Sequence, residues 1–180
     1  MTEAIRARLA RVRLLACDVD GTLTDGGIVY DSAGAESRRF HIHDGLGIVV
    51  AGLVNLQVAW ITGRDSPVVA RRADELRVAY LEQGVRDKAV AVAMLAVRGG
   101  FAPEEIAFIG DDLNDLPGMR AAGVALAPAN AVPEVRRAAA LVLGRAGGDG
   151  AVREAIEAIL RARGEWDAAV ALYLAHLQAK

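Results

Sequence analysis

Short aliphatic runs closed by a glycine or a charged residue recur along the chain, separated by stretches whose apolar positions return every three or four residues. Runs too short for helices and bounded by turn residues predict buried strands, here near 13 to 17, 57 to 62, 78 to 81, 106 to 109 and 123 to 126, with a weaker candidate at 140 to 143. The longer periodic stretches predict helices over Lys88 to Val97, over 151 to 163 after the glycine-rich segment Gly144 to Gly150, and over 166 to 178 beyond Gly164. Strands alternating with helices predict an α/β fold with a doubly wound, Rossmann-like parallel sheet. One stretch breaks the alternation. Ile28-Val29-Tyr30 and the run Ser37 to His43 flank the turn-forming segment Asp31 to Ala35, which predicts a β-hairpin insertion over about 25 to 43.

At 180 residues and 53% hydrophobic content the chain can bury a full core, and the expectation is one domain over 1 to 180 with a helical tail over about 151 to 180. A net charge of -2 without a long basic run argues against nucleic acid as a partner. No apolar run reaches membrane-spanning length and the N-terminus has no signal-peptide pattern, which leads to the expectation of a cytoplasmic protein without a membrane partner. The single cysteine, Cys17, excludes an intrachain disulfide and reads as a buried strand residue.

The residue types at the end of each strand point to chemistry. The first strand ends in Asp18-Val19-Asp20-Gly21-Thr22, and two carboxylates two residues apart share one face of an extended segment. Neither charge can remain in the core, so both project from the carboxyl end of the strand, where open parallel sheets bind ligands. One carboxylate can attack phosphorus while the other protonates a leaving alkoxide and then activates water. The plainer reading is a polar turn. The second strand ends in Thr62-Gly63-Arg64, a hydroxyl with free backbone N–H groups that could hold phosphate oxygens, unless Thr62 caps the helix that begins near Ser66-Pro67. Of 21 basic residues only Lys88 and Lys180 are lysines, and a compact ammonium at Lys88 fits between carboxylate and phosphoryl oxygens where a guanidinium is too wide. The alternative is a lysine on a solvated helix face. The fourth strand ends in Gly110-Asp111-Asp112-Leu113-Asn114-Asp115, a source of hard oxygen ligands suited to Mg2+ together with Asp18, or else an acidic helix N-terminus.

These four stations, in this order, resemble the motifs of the haloacid dehalogenase superfamily. The resemblance implies a haloacid dehalogenase-like fold, Asp18 as nucleophile, Asp20 as general acid and base, and Thr62 and Lys88 as phosphate-binding groups. It also implies Mg2+ held by Asp18, Asp111 and the backbone carbonyl of Asp20. Gly63 and Arg64 join the substrate-binding set, and Asp112 and Asp115 are expected to orient metal-bound water. An acid at Asp20 narrows the resemblance to phosphatases and phosphomutases.

Further strings, Thr24-Asp25-Gly26, Phe40 with Asp44-Gly45-Leu46-Gly47-Ile48, and Gly147-Gly148-Asp149-Gly150-Ala151-Val152-Arg153-Glu154, are similar to the capless branch represented by the 3-deoxy-D-manno-octulosonate 8-phosphate phosphatase family. That similarity implies a small phosphorylated sugar acid as substrate and a homotetramer whose hairpins assemble and close one another's sites. A hairpin of about 20 residues is too short for a lid domain, so the site of one subunit is expected to stand open.

His43 and Asp149 depart from the family pattern, each with less positive charge, and are candidate specificity residues. They leave room for a nonulosonate 9-phosphate or another small phosphoester as substrate. Arg38, Arg39 and Arg64 are alternative carboxylate partners. His41 and His43 would share a strand face, but two histidines without a third ligand make a poor metal site. A catalytically silent oligomeric scaffold is the reading from a different functional class.

Overall fold

The computed structural model describes residues 1–178. Six parallel strands form one sheet in the order β5-β4-β1-β6-β7-β8, with β1 Leu14–Cys17, β4 Gln57–Ile61, β5 Tyr80–Glu82, β6 Ile106–Ile109, β7 Val124–Ala127 and β8 Leu141–Val142. The remaining two strands, β2 Val29–Tyr30 and β3 Glu36–Ser37, pair antiparallel as the hairpin. The expected strands are all present, the weak candidate at β8 included, with ends shifted by a residue or two.

Strand β1 is buried on both faces, and its alternating side chains divide between two cores. Leu15 and Cys17 join Val58, Trp60, Ala107 and Ile109 on the side covered by α1 (Glu3–Leu9), α2 (Ile42–Gly52), α3 (Pro67–Glu75), α7 (Ala151–Arg163) and α8 (Trp166–Gln178). Leu14 and Ala16 join Ala59, Ile61, Ile106 and Phe108 on the side covered by α4 (Lys88–Gly99), α5 (Leu116–Ala121) and α6 (Pro133–Ala138). Each fully buried Leu, Ile or Phe removes enough apolar surface from water to contribute roughly 1.5–3 kcal/mol, so the central strands are held by packing on both sides.

From β1 the chain runs outward through β4 and β5, then returns to lay β6 on the other flank of β1. The order reverses between β1 and β6, and the crevice beyond the carboxyl ends of those two strands is where such a sheet binds its ligand. Cys17, Trp60 and Ile109 lie side by side in register at that edge, so Asp18, Thr62 and the loop from Gly110 emerge together.

The hairpin is shorter than its sequence suggests. Extended pairing ends at an isolated bridge between Thr24 and Phe40, and α2 starts at Ile42 with His41 at its N-cap. His41 and His43 therefore do not share a strand face. His43 lies in the first helical turn, because the apolar run after it has helical periodicity and draws the helix start back over it. Phe40 stacks on Trp60 with ring centroids 5.8 Å apart, which fastens the base of the hairpin to the core.

Candidate active site

Backbone pairing carries the β1–β6 ladder one step past the strand, with the Asp18 N–H donating to the Ile109 carbonyl at 2.9 Å. The Asp18 side chain is thus placed in the crevice, where it is buried. Lys88 is the first residue of α4, whose N-cap Asp87 accepts from the N–H groups of Ala89 at 2.9 Å and Val90 at 3.4 Å. Side chains lean toward a helix's N-terminus, and that lean brings Lys88 Nζ to one oxygen each of Asp18 and Asp115. Lys88 is buried and so is not a solvated surface lysine. Burial and the helix dipole both oppose its charge, yet Asp18 and Asp115 outweigh them and hold its pKa above the ordinary lysine value.

Asp115 does more than the sequence suggested. While Oδ1 takes Lys88, Oδ2 accepts from the N–H groups of Asp111 at 2.9 Å and Asp112 at 3.2 Å, so one buried carboxylate shapes the whole loop after β6. Asp111 accepts from the Thr22 hydroxyl at 2.9 Å. Gly21, with φ +102°, leaves the space that the Asp111 carboxylate fills, and a Cβ there would run into it. From the far side Gly147 packs on the Gly21 carbonyl, a second approach that only glycine permits, and Gly148 N–H donates to the Thr22 carbonyl at 3.1 Å.

Asp18, Asp111 and Asp115 each offer a carboxylate oxygen, all within 4.8 Å of one another. Burial pushes the Asp18 carboxyl well above the usual range and Asp115 adds to the shift, while Lys88 opposes it. Burial likewise pushes Asp111 up to about 6, with the Thr22 hydrogen bond opposing and Asp115 reinforcing. One ammonium therefore leaves surplus negative charge, and hard oxygen donors with such a surplus fit a divalent cation such as Mg2+. Asp115 is already engaged on both oxygens, which favours Asp18 and Asp111 as the carboxylate ligands.

The opposite wall consists of Asp20 and the loop after β4. The Thr62 hydroxyl donates to Asp20 Oδ2 at 3.1 Å and accepts from the Arg64 N–H at 3.2 Å. It does not cap α3, whose N-cap position belongs to Ser66. The hairpin reaches back to this wall: Arg38 pairs with Asp20, and Arg64 Nη2 donates to the Tyr30 hydroxyl at 2.8 Å and to Glu36 at 3.2 Å.

Other candidate residues lie elsewhere. Asp112 is exposed and accepts from the N–H of Leu113, ending its side chain at the loop surface. His43 and Asp149 line a cleft of about 620 Å³ with Arg145, Arg153 and Glu154, and none of Asp18, Asp20, Thr62, Lys88 and Asp111 lines it. His41 and His43 meet edge to face at 4.9 Å, and among the described residues no third ligand joins them in a metal-binding group. Cys17 is buried, and burial pushes its thiol well above the ordinary value, with Asp44 and Asp18 adding to the effect, so it is not a reactive group. Thr22, Asp115 as the partner of Lys88, and Arg38 as the partner of Asp20 are the contributors that sequence reasoning missed. Each is joined to its partner over a separation in sequence that no local pattern reports.

A family model of haloacid dehalogenase-like hydrolases matches residues 81–156. The chain is 39% identical over 161 residues to a 3-deoxy-D-manno-octulosonate 8-phosphate phosphatase of Haemophilus influenzae, covering 89% of each. Among solved structures, the phosphatase of that name from Yersinia pestis superposes with a TM-score of 0.91 at 39% identity, over 93% of this chain and 90% of the other. The Moraxella catarrhalis phosphatase, crystallised with a magnesium ion, a phosphate ion and 3-deoxy-D-manno-octulosonate, superposes with a TM-score of 0.92 at 38% identity, over 96% and 99%. The chain belongs to the 3-deoxy-D-manno-octulosonate 8-phosphate phosphatase family of haloacid dehalogenase-like hydrolases, a family of phosphoric monoester hydrolases. Among the described residues, no helix is long and apolar enough to cross a membrane.

Proposed function

We propose that this chain is a magnesium-dependent phosphatase that hydrolyses 3-deoxy-D-manno-octulosonate 8-phosphate through a phosphoryl group carried on Asp18. The observation that carries the reading is the buried Lys88 ammonium held between Asp18 and Asp115 beneath the switch point of the sheet. Burying three charges without a chemical role is a poor route to stability, whereas a fixed cation beside a nucleophilic carboxylate lets that carboxylate meet an anion.

Mg2+ would be held by the carboxylates of Asp18 and Asp111 and the carbonyl of Asp20, and would supply positive charge that shields the phosphate from the carboxylates. Lys88 orients Asp18 toward phosphorus. Thr62, with the N–H groups of Gly63 and Arg64, takes phosphoryl oxygens. Asp20 gives a proton to the leaving alkoxide and then takes one from the water that releases phosphate. Asp115 keeps Lys88 and the Asp111 loop in place.

The name and bound molecules of the Moraxella relative support the sugar-acid substrate. The exposed hairpin residues Val29 and Tyr30 support a homotetramer assembled through this insertion. A chain whose one cysteine is buried and whose described helices cannot span a membrane is consistent with a cytoplasmic enzyme.

Phosphate release from a panel of sugar-acid phosphates with Mg2+, set beside Asp18→Asn, tests the proposal. Release is expected chiefly from the octulosonate 8-phosphate. Preference for a nonulosonate 9-phosphate would reassign the substrate, and no release above the variant would leave the silent scaffold.

A further inference from the structure

Two consecutive arginines leave β3 in opposite conditions. The Arg39 side chain is 71% exposed and pairs with Asp25, whereas the Arg38 side chain is fully buried. Arg38 Nε donates to Glu36 Oε1 at 2.6 Å, Nη1 donates to Asp20 Oδ1, and Nη2 is buried with no partner among the described residues. Glu36 is itself fixed, accepting from the Ser66 hydroxyl at 2.8 Å and from Arg64 at 3.2 Å. A planar guanidinium gripped at Nε by an anchored carboxylate has little freedom, so the plane of the Asp20 carboxylate is set from the hairpin. With Thr62 on Oδ2, Asp20 is held at both oxygens by two separate parts of the chain.

We propose that Arg38 is a positioning residue for proton transfer. By occupying Oδ1 it assigns Oδ2, which is released when the Thr62 hydroxyl turns to a phosphoryl oxygen, as the oxygen that carries the proton. In the step concerned, a bond forms from an Asp18 oxygen to phosphorus and the bond from phosphorus to the ester oxygen breaks. The electron pair of that bond goes to the ester oxygen, which takes the proton from Asp20 Oδ2 and leaves Asp20 as a carboxylate. The inference rests on the role assigned to Asp20 above and deepens it, because it makes the hairpin part of the acid–base apparatus. A hairpin staple with no such role would use the same contacts but would affect every substrate equally.

The dependence of kcat/KM on leaving-group basicity separates the two. Substituted phenyl phosphates share one shape and differ in how much they need a proton, and kcat/KM reports the steps through cleavage of the ester bond. In saturating Mg2+ the wild-type protein is expected to show a shallow dependence and Asp20→Asn a steep one. Arg38→Met should track Asp20→Asn, losing about 10²-fold more on the most basic leaving group than on the least basic, the scale of general acid catalysis. Arg38→Lys should recover part of the shallow slope, and Glu36→Gln should steepen it slightly. Should Arg38→Met fail to fold, judged by circular dichroism, those two variants carry the test. Equal losses on every leaving group in the Arg38 and Glu36 variants, beside a steep Asp20→Asn, would overturn the inference and leave Arg38 a staple. A shallow Asp20→Asn would overturn the role of Asp20 itself, and the inference would fall with it.

Discussion

Beneath the carboxyl ends of β1 and β6, the charges of Asp18, Lys88 and Asp115 are buried and each touches another within the same chain. Around the hairpin the pattern changes: Arg64 and Tyr30 are largely open to solvent, and only Arg38 is taken out of water. The floor is fixed by strand register, a helix cap and two glycine approaches, so its geometry is dictated by the sheet. The rim hangs on a two-residue ladder and side-chain contacts, which makes it the part a second subunit or a different substrate can rearrange. Within one site the proposed nucleophile and metal ligands rest on the rigid part, and the proposed positioning of Asp20 by Arg38 hangs from the adjustable one.

That division ranks the expected effects of substitution. Asp18→Asn removes the proposed nucleophile, and kcat is expected to fall by at least about 10⁴-fold with an unchanged circular dichroism spectrum. Activity within tenfold of wild type would move the chemistry off the floor. Lys88→Met leaves buried carboxylates without their cation. It should cost about 10²–10³ in kcat and up to about 3–5 kcal/mol in stability measured by urea unfolding. The stability loss should be smaller at pH 5 than at pH 8, because the freed carboxylates escape it by taking up protons.

Metal and pH come next. Asp111 and Asp18 have folded pKa values above their unfolded ones, so the folded state binds more protons and stability contributed by these groups falls as pH rises above the ordinary carboxylate range, for Asp111 through about 6. The raised pKa of Lys88 has the same sign at much higher pH, a contribution kept through neutral pH and lost only in strong alkali. Metal must displace the proton that Asp111 holds below about 6, so Mg2+ affinity is expected to tighten by about tenfold per pH unit in that range. Calorimetric titration at pH 5, 6 and 7.5 measures this directly, and a flat profile would contradict the charge surplus described for the floor.

On the rim the effects should be smaller. Val29→Asp with Tyr30→Ser is expected to convert the proposed tetramer to smaller species by light scattering while the monomer keeps its fold, since both residues are exposed in the single chain. The smallest effect belongs to His43→Arg and Asp149→Arg, which line a cleft apart from the carboxylates. KM for the sugar-acid phosphate should change by less than about threefold, below the roughly 1 kcal/mol that an exposed charge commonly contributes.

Much of the floor was legible in the chain because each of its residues lies just past a buried strand, and strand ends in a parallel sheet converge whatever lies between them. Asp18, Thr62 and Asp111 are visible on that ground, and Lys88 through its rarity among arginines. The contributors that stayed hidden depend on side chains meeting across the fold. Asp115 reaches Lys88 over 27 positions, Thr22 reaches Asp111 over 89, and Arg38 reads as a solvated strand edge until the hairpin folds over Asp20. The misread ends, at His41 and His43, fall where extended chain passes into helix, and there the helical pattern of Ile48, Val50 and Ala51 overrides the local appearance of a strand.

The central claim, that the phosphoryl group passes through Asp18 on its way to water, is tested most directly by stereochemistry at phosphorus. A substrate carrying a chiral, isotopically labelled thiophosphoryl group, hydrolysed with Mg2+ in water of the remaining oxygen isotope, should release thiophosphate with retained configuration, because two in-line displacements occur in sequence. Inverted thiophosphate would mean that water attacks the substrate directly, and would contradict the account.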